Sequence, residues 1–242
     1  MKRLLIILLC AMPITLFGQL MRYPLYAVTC TDVDAQAIFK FENDLTDEEG
    51  GSSMSGTVAY TNASGYYLDG YALNLNASGR YASVAHSFTS TNGFTIAFGY
   101  RKGTFSGTAR AIEKSDGAGT PDGFYIGLDG TNSRIAIRTG NGSTSNWYYS
   151  TSSLSGFINQ MNTVVVTFDE SMNPTIYYNG SDVTGTGTII TDMSLSEPLM
   201  AGSQYSYFWG YLDELQVSDF EWTSSQVTTW NSDPTIEITD CL

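Results

Sequence analysis

Residues 93–100 read Gly-Phe-Thr-Ile-Ala-Phe-Gly-Tyr, and this short stretch is the strongest structural signal in the chain. Large apolar side chains fall on every second residue: Phe94, Ile96, Phe98 and Tyr100. Small or polar residues fill the positions between them: Thr95, Ala97 and Gly99. Successive side chains of a β-strand point to opposite faces of its sheet, so a period of two indicates a strand with one buried face. The stretch therefore predicts a half-buried strand.

The same alternation recurs on both sides of this strand. It occurs at Phe39 and Phe41, at Tyr71, Leu73 and Leu75, at Phe124, Ile126 and Leu128, at Ile135 and Ile137, and at Val164, Val166 and Phe168. Turn-forming pairs lie between these runs: Asp69-Gly70, Asp129-Gly130, Asn141-Gly142 and Asn179-Gly180. Such pairs adopt the positive φ angles of tight hairpins at low cost. Many short strands at regular intervals predict an all-β protein, either an antiparallel sandwich or a barrel.

One short helix is expected near the C-terminal end. Thr223 and Gln226, three residues apart, form the capping-box pattern that marks the start of a helix. Val227 and Trp230 lie where a helix would turn them toward the core. We predict a helix of two turns that seals an edge of the sheets.

Length and charge restrict the class of protein. The chain has 242 residues, with 11 Lys and Arg against 24 Asp and Glu, a net charge of -13, and only 14% charged residues. The length suits one large β domain or two small ones, and one domain over residues 35–242 is the simpler prediction because no linker or repeat interrupts it. A helical bundle would need far more Glu, Lys, Ala and Leu. Such an acidic domain repels phosphate backbones, so no nucleic-acid partner is expected.

The N-terminal residues have the pattern of an export signal. Lys2 and Arg3 precede an apolar run over residues 4–17, which is too short to span a bilayer. We predict a signal peptide over residues 1–18, cleaved after Gly18, and an irregular leader over residues 19–34. No second apolar run has spanning length, so the mature chain is predicted to be secreted or extracytoplasmic, at a cell surface, without a membrane span.

Two cysteines remain after the predicted cleavage, Cys30 and Cys241. In an oxidising compartment, such a terminal pair predicts one disulfide, and two free thiols are the alternative. Closing a loop of this length would contribute about 5 kcal/mol in the chain-entropy model. A structural zinc site is not predicted, because such sites need four ligands and His86 is the only histidine.

Six segments in order resemble the laminin G-like domains of the concanavalin A-like jelly-roll superfamily, from about Ala35 to Trp230. They are residues 37–47, 70–75, 80–84, 93–98, 164–180 and 210–217. Gly99-Tyr100 stands where the family usually has a tryptophan. The resemblance implies an antiparallel two-sheet jelly-roll sandwich. The superfamily includes lectins, adhesion modules, structural modules and glycan-cleaving enzymes, so the fold alone does not fix a function.

No catalytic residue is predicted. The sequence lacks the Glu-x-Asp-x-x-Glu strand of jelly-roll glucanases, which places two carboxylates on one strand face. Its nearest acidic residues are expected on different strand faces and on both sides of a bend: Asp213, Glu214, Asp219 and Glu221. The sequence also lacks the Gly-x-Ser-x-Gly of serine hydrolases, and the lone His86 lies at a strand end. A polysaccharide-active enzyme, either a glycosidase or a lyase that relies on Tyr and Arg, stays open as an alternative.

Four carboxylates form the candidate metal site. Asp213 shares its strand parity with apolar neighbours, and a buried carboxylate must meet backbone N–H groups, a cation or a basic partner. Glu42, Asp44 and Asp47 lie in the acidic turn where the resemblance places a structural calcium ion, and oxygen ligands of this kind suit Ca²⁺. Alternatively, Asp213 caps a turn, and Asp44 and Asp47 are solvated.

Two aromatic clusters are the candidate ligand sites. Trp147 and Tyr149 belong to one, and Tyr205 and Tyr207 belong to the other. Sugar rings stack their C–H faces on aromatic side chains, and polar neighbours add hydrogen bonds. Phe208 and Trp209, which follow directly, are expected to pack in the core or at its edge.

From these features we predict an exported, non-catalytic binding or adhesion module for a glycan or an extracellular protein. The alternatives are the enzyme named above and a structural subunit of a surface assembly.

Overall fold

The alternating segments form strands in the computed structural model, which describes residues 37–49, 51–65, 68, 70–86, 88 and 92–238. In chain order the strands are β1 (Ala37–Phe39), β2 (Ser55–Thr57), β3 (Ala59–Thr61), β4 (Ala72–Asn74), β5 (Tyr81–Val84), β6 (Phe94–Lys102), β7 (Thr108–Ser115), β8 (Asp122–Asp129), β9 (Arg134–Asn141), β10 (Ser145–Ser150), β11 (Asn162–Phe168), β12 (Pro174–Tyr178), β13 (Ser181–Asp182), β14 (Thr184–Gly187), β15 (Leu199–Gly202) and β16 (Gly210–Ser218). The helix α1 spans Ser224–Ser232. The predicted signal peptide, the leader and the pair Cys30 and Cys241 lie outside the described residues.

The strands form two antiparallel sheets, which confirms the predicted sandwich. The first sheet has the order β13-β12-β11-β6-β16-β4-β3. The strand β1 also pairs with β16, at residues that follow the part of β16 paired with β4. The second sheet has the order β14-β10-β9-β8-β7-β15-β5-β2. Strands distant in sequence are therefore neighbours. The last residues of β6 and the first residues of β7 and β16 lie at the same end of the sandwich.

The core fills the space between the two sheets. Phe94 of β6 stacks on Phe168 of β11, with ring centroids 4.4 Å apart. Across the sandwich, the Phe94 ring lies 5.6 Å from that of Phe124 in β8. The other members of the predicted alternating set on β6, Ile96, Phe98 and Tyr100, are fully buried in the same core. The alternation thus identifies the inward face correctly.

The outward face of β6 is buried as well, which the prediction of a half-buried strand missed. Ala97 of β6 and Val165 of β11 pack against Trp222, Val227 and Trp230 in a second apolar cluster. The helix α1 therefore covers the outer face of the first sheet, rather than sealing an edge. A strand covered on both sides loses the polar face that alternation normally shows.

The helix begins where the capping pattern predicts. The Thr223 side chain accepts a hydrogen bond from Gln226 N, and the Gln226 side chain accepts one from the Thr223 backbone. A capping box satisfies two of the N–H groups that the first turn leaves without helical partners. Val227 and Trp230 are fully buried, so the predicted inward face is confirmed.

Two sequence details have a clear structural counterpart. Asn179 and Gly180 have φ angles of 49° and 76° and form the predicted tight turn between β12 and β13. Tyr100, which stands near the position where the family usually has a tryptophan, is fully buried, and its hydroxyl donates to Phe157 O at 2.9 Å. Burial of this phenol raises its pKa above the ordinary value. The core thus accepts the substitution because the added hydroxyl has a partner.

Candidate functional site

A cleft of about 530 Å³ opens at one end of the sandwich. It lies where β6 ends, β7 begins and β16 begins, so loops from both sheets form its walls. Its lining residues are Asn76, Arg101, Lys102, Gly103, Thr104, Phe105, Ser106, Thr108, Ala109, Asn159, Tyr207, Trp209, Gly210 and Tyr211. The volume lies within the range that small-molecule and saccharide sites occupy.

The aromatic rings of Tyr207 and Trp209 form the accessible part of this cleft. Their exposed fractions are 40% and 52%, whereas Phe208 between them is fully buried. The expectation that Phe208 packs in the core is confirmed, but the same expectation for Trp209 is wrong. Trp209 has a φ of 53°, in the left-handed region that bulky residues rarely adopt, and this backbone conformation accompanies its outward position.

A buried lysine holds this segment of backbone. The Nζ atom of Lys102 donates to Phe208 O and, at 2.9 Å, to Trp209 O. It also lies 4.6 Å and 5.2 Å from the ring centroids of Phe105 and Phe208, within the range of cation–π contacts. Burial lowers the pKa of Lys102 to about 8. The lysine thus fixes the carbonyl groups of Phe208 and Trp209 while the Trp209 side chain remains exposed.

Polar groups complete the cleft. Arg101, next to the lysine on β6, donates from Nη1 to Gly65 O, which ties the guanidinium to the β3–β4 connection. The backbone N–H of Asn159 donates to Lys102 O at 2.7 Å, so the segment before β11 is fixed against the end of β6. None of the described lining residues is Asp or Glu. The cleft can therefore offer aromatic surface, amide groups and positive charge to a ligand.

The predicted pair Tyr205 and Tyr207 is divided between two places. Tyr207 lines the cleft, whereas Tyr205, 50% exposed, packs beside the β7–β8 turn. A Cβ added to Gly117 in that turn would overlap the Tyr205 ring, so the ring lies directly on the glycine. Tyr205 is thus an exposed aromatic residue beside Gly117 and is not part of the described cleft wall.

Trp147 and Tyr149 lie on β10, in the second sheet. Their rings are nearly parallel, at 4°, with centroids 5.7 Å apart. The Arg134 guanidinium carbon lies 3.6 Å from the Tyr149 ring centroid, and that of Arg138 lies 5.3 Å from Trp147. The two rings therefore contact each other and two arginines within the protein, which leaves less ring surface for a sugar than Trp209 offers.

Further contacts continue this row of aromatic and basic side chains toward β7. The rings of Trp147 and Tyr125 meet edge to face at 5.6 Å, and Arg110 lies 4.4 Å from the Tyr125 centroid. Arg110 also pairs with the buried Glu113. Alternation predicts strands here but does not reveal which arginine contacts which ring, because these contacts join neighbouring strands.

The carboxylates of the predicted calcium turn bind backbone groups. Asp47 is 5% exposed, and its Oδ1 accepts from Ile38 N at 3.0 Å and from Glu49 N at 3.1 Å. The Asp44 carboxylate accepts from Thr46 N, and the Glu42 carboxylate accepts from Tyr71 N. Asp47 is therefore buried rather than solvated, and it joins β1 to the following turn.

Asp213, the fourth predicted metal ligand, is fully buried on β16. Its Oδ2 accepts from Leu68 N at 2.6 Å, and a backbone N–H group is one of the partners predicted for this buried carboxylate. The register of β16 against β6 shifts just after Asp213, and Glu214 has a φ of 48°, so a bulge interrupts the strand there. Within the described ranges, no three His, Cys, Asp or Glu side chains form a metal-binding group. Calcium binding stays a prediction.

The only histidine belongs to a buried polar cluster away from the cleft. His86 Nε2 lies 3.7 Å from Asp219 Oδ1. Lys114, fully buried, donates from Nζ to the carbonyls of His86 and Glu197, and burial lowers its pKa to about 8. These contacts join the segment after β5, the segment before β15 and the segment after β16. The cluster therefore has a structural role.

Sequence reasoning missed Arg101, Lys102 and Trp209 as members of one site. A signal was present, because Arg101-Lys102 is a basic pair in an acidic chain, followed by six residues without a carboxylate. Nothing local indicates that the pair meets residues 207–211, since that contact depends on the pairing of β6 with β16.

Among the described residues, no helix has the length and the apolar composition that a membrane span requires.

A family model described as "Concanavalin A-like lectin/glucanases superfamily", of the laminin G type, matches residues 76–228. No curated protein sequence is significantly similar to the chain.

Solved structures share the fold at low sequence identity. The binding domain of Paraclostridial Mosquitocidal Protein 1 aligns with a TM-score of 0.62 and 15% identity, covering 81% of this chain and 51% of that chain. The receptor-binding domain of botulinum neurotoxin type G aligns at 0.61 and 16%, covering 81% and 50%. Domain 4 of AbnA, a GH43 extracellular arabinanase from Geobacillus stearothermophilus, aligns at 0.58 and 18%, covering 80% and 96%. This chain thus spans about half of the toxin domains and nearly all of the arabinanase domain.

Proposed function

Since the chain belongs to the concanavalin A-like lectin/glucanases superfamily, we propose that it is an exported, non-catalytic module that binds a glycan in the cleft beside Trp209. The superfamily contains both binding proteins and enzymes, so membership alone does not choose between them. The choice rests on the chemistry of the cleft.

The single observation that supports binding most strongly is the conformation of Trp209. An indole ring that is 52% exposed, on a residue with a φ of 53°, combines two unfavourable features. Such strain persists only where surrounding contacts impose it, and it is concentrated at functional sites. Lys102 supplies those contacts here. The result is a rigid aromatic surface beside Tyr207, of the kind on which the C–H face of a sugar ring stacks.

Two structural neighbours are consistent with this proposal. The arabinanase domain was solved in complex with arabinotriose, and the binding domain of botulinum neurotoxin DC was solved in complex with SialylT. Both therefore bind saccharides. Their sequence identity to this chain is 15% and 18%, so the comparison supports a shared fold and not a shared ligand. A glycan ligand is thus compatible with the architecture, and its identity must come from the site.

The enzyme alternative has weaker support. A glycosidase needs two carboxyl groups about 5 to 9.5 Å apart around the scissile bond. The described part of the cleft wall supplies amide, hydroxyl and basic groups instead. A lyase that uses Tyr207 or Tyr211 with Arg101 would show itself by shortening the polysaccharide it binds. A structural subunit would show self-association without saccharide affinity.

A glycan array followed by calorimetry tests the proposal. We expect the mature protein to bind at least one oligosaccharide, with and without Ca²⁺ present in parallel wells. Trp209→Ala and Tyr207→Ala should each weaken binding about two- to tenfold, since a ring contact contributes about 0.5 to 1.5 kcal/mol. Tyr205→Ala is the matched control, because it removes a ring of similar exposure from outside the described cleft wall.

Two results would contradict the assignment. If the array shows no binding, the module does not recognise the glycans displayed and the proposal fails. If Trp147→Ala abolishes binding while Trp209→Ala leaves it intact, the glycan binds on β10 and the cleft is not the site.

A further inference from the structure

We propose that the cleft beside Trp209 selects glycans that carry carboxylate groups, such as uronic acid residues, over neutral glycans. This inference rests on the proposed glycan binding and adds the chemical class of the ligand. It follows from the distribution of charge in the chain and from the environment of two basic side chains.

The charge of the cleft is opposite to that of the protein. The chain has a net charge of -13 and more than twice as many acidic as basic residues. The cleft nevertheless has Arg101 and Lys102 in its wall, and its described lining contains no carboxylate. An acidic protein would repel an anionic polysaccharide over most of its surface, so a basic concave site gives such a ligand one place to dock.

Lys102 has no carboxylate partner among the described residues. Its Nζ atom binds two carbonyl oxygens and lies over the rings of Phe105 and Phe208. Carbonyl dipoles and ring faces orient an ammonium group but do not cancel its net charge. Because the lysine is only 5% exposed, low-dielectric protein lies around it, and its field extends into the cleft with less screening than at an open surface.

Arg101 adds directional recognition. Its guanidinium is positioned by the bond to Gly65 O, and it lines the cleft beside Tyr211. A guanidinium presents its donors in a planar fork that matches the two oxygens of a carboxylate. The exposed rings of Tyr207 and Trp209 would stack on the sugar while Arg101 and the field of the buried Lys102 attract its acidic substituent.

Matched pairs of oligosaccharides test the inference. Trisaccharides of galacturonate, glucuronate and mannuronate are each compared with the corresponding methyl ester, which has the same ring but no charge. We expect calorimetry to show at least tenfold tighter binding of an acid than of its ester, and the difference should decrease as salt is raised.

Charge variants separate this inference from the proposed function. Asn159→Asp places a carboxylate in the cleft with almost no change in shape, and it should weaken binding of the acid severalfold more than binding of the ester. Ser181→Asp, at an exposed position on β13, adds the same charge outside the described cleft wall and should leave both affinities as they are. Thermal unfolding of both variants shows whether each is folded.

The outcomes are distinct. Equal binding of acids and esters, lost in Trp209→Ala, would overturn the charge inference and leave the proposed function standing. Array binding confined to neutral glycans would overturn it as well. Tighter binding of a sulfated galactose trisaccharide than of any uronate would refute the assignment to carboxylates. Loss of all saccharide binding would refute both proposals together.

Discussion

Replacing Trp209 by glycine and by alanine provides a direct test of the strained backbone in the cleft. Both changes remove the indole ring, so both lose the same apolar contacts and the same ligand surface. They differ in one methyl group, and a Cβ disfavours the left-handed region by about 1 to 2 kcal/mol. With a φ of 53°, residue 209 is in that region.

The expected difference in stability follows from two opposing effects. The left-handed backbone favours glycine by the 1 to 2 kcal/mol above, whereas the greater freedom of glycine in the unfolded chain costs about 0.5 to 1 kcal/mol. Trp209→Gly should therefore be more stable than Trp209→Ala, by up to about 1.5 kcal/mol. At an ordinary position the order is reversed, since replacing glycine by alanine there stabilises a protein by about 0.4 to 1 kcal/mol.

Urea unfolding of the two variants, followed by tryptophan fluorescence, measures this difference. The remaining tryptophans report the unfolding in both proteins, because two of them, Trp222 and Trp230, are buried where α1 packs on the first sheet. Both variants should bind glycan about two- to tenfold more weakly than the unchanged protein. If the alanine variant proves equally or more stable, residue 209 is not left-handed and the argument from strain is refuted.

Three further changes test other parts of the structure. First, raising the pH from about 8 to about 9, below the range in which unfolded tyrosines ionise, should increase the free energy of unfolding. Lys102 and Lys114 have folded pKa values of about 8 against 10.5 for the free side chain, so the unfolded chain binds more protons across that window, and each lysine adds at most about 1.4 kcal/mol per pH unit. Urea titrations at several pH values measure this slope, and it should shrink in Lys114→Met; a flat profile would show that the lysines are not desolvated. Second, Asp47→Ala should cost about 1 to 3 kcal/mol, because it leaves a buried N–H group without an acceptor, whereas Asp44→Ala, at an exposed turn, should cost less than about 0.5 kcal/mol. Similar melting temperatures for these two variants would argue against a structural role for Asp47. Third, Thr223→Ala should cost about 1 kcal/mol by removing the helix cap, and an unchanged stability would mean that α1 contributes little to the fold.

The strands could be predicted because each places one face in the shared core. Phe124, Ile126 and Leu128 alternate along β8, and all three are fully buried against the first sheet. The capping box likewise predicts α1, because its hydrogen bonds are local. What α1 covers could not be predicted, since Trp222 and Trp230 meet Ala97 and Val165 only after the sheet has formed.

The site was harder to predict than the fold. Tyr207 was selected from its aromatic neighbourhood, and it does line the cleft. Trp209 was assigned to the core or its edge because two consecutive aromatic residues give no sign of which one faces inward. That choice depends on Lys102, more than 100 residues earlier in the chain, whose ammonium group binds the carbonyls of residues 208 and 209. For the predicted calcium ligands Glu42, Asp44, Asp47 and Asp213, the structure adds a separate backbone N–H partner for each carboxylate, and calcium binding stays a prediction.

The four tryptophans allow the binding site to be located in one measurement. Each indole N–H gives its own resonance in an amide-proton NMR spectrum, and the spectrum can be followed while the tightest-binding trisaccharide is added. Trp222, just before α1, and Trp230, on α1, are buried against the first sheet, so their signals should stay in place. We expect the Trp209 resonance to move and saturate at the affinity measured by calorimetry. Movement of the Trp147 resonance alone, with that of Trp209 unchanged at saturation, would contradict the cleft as the glycan site.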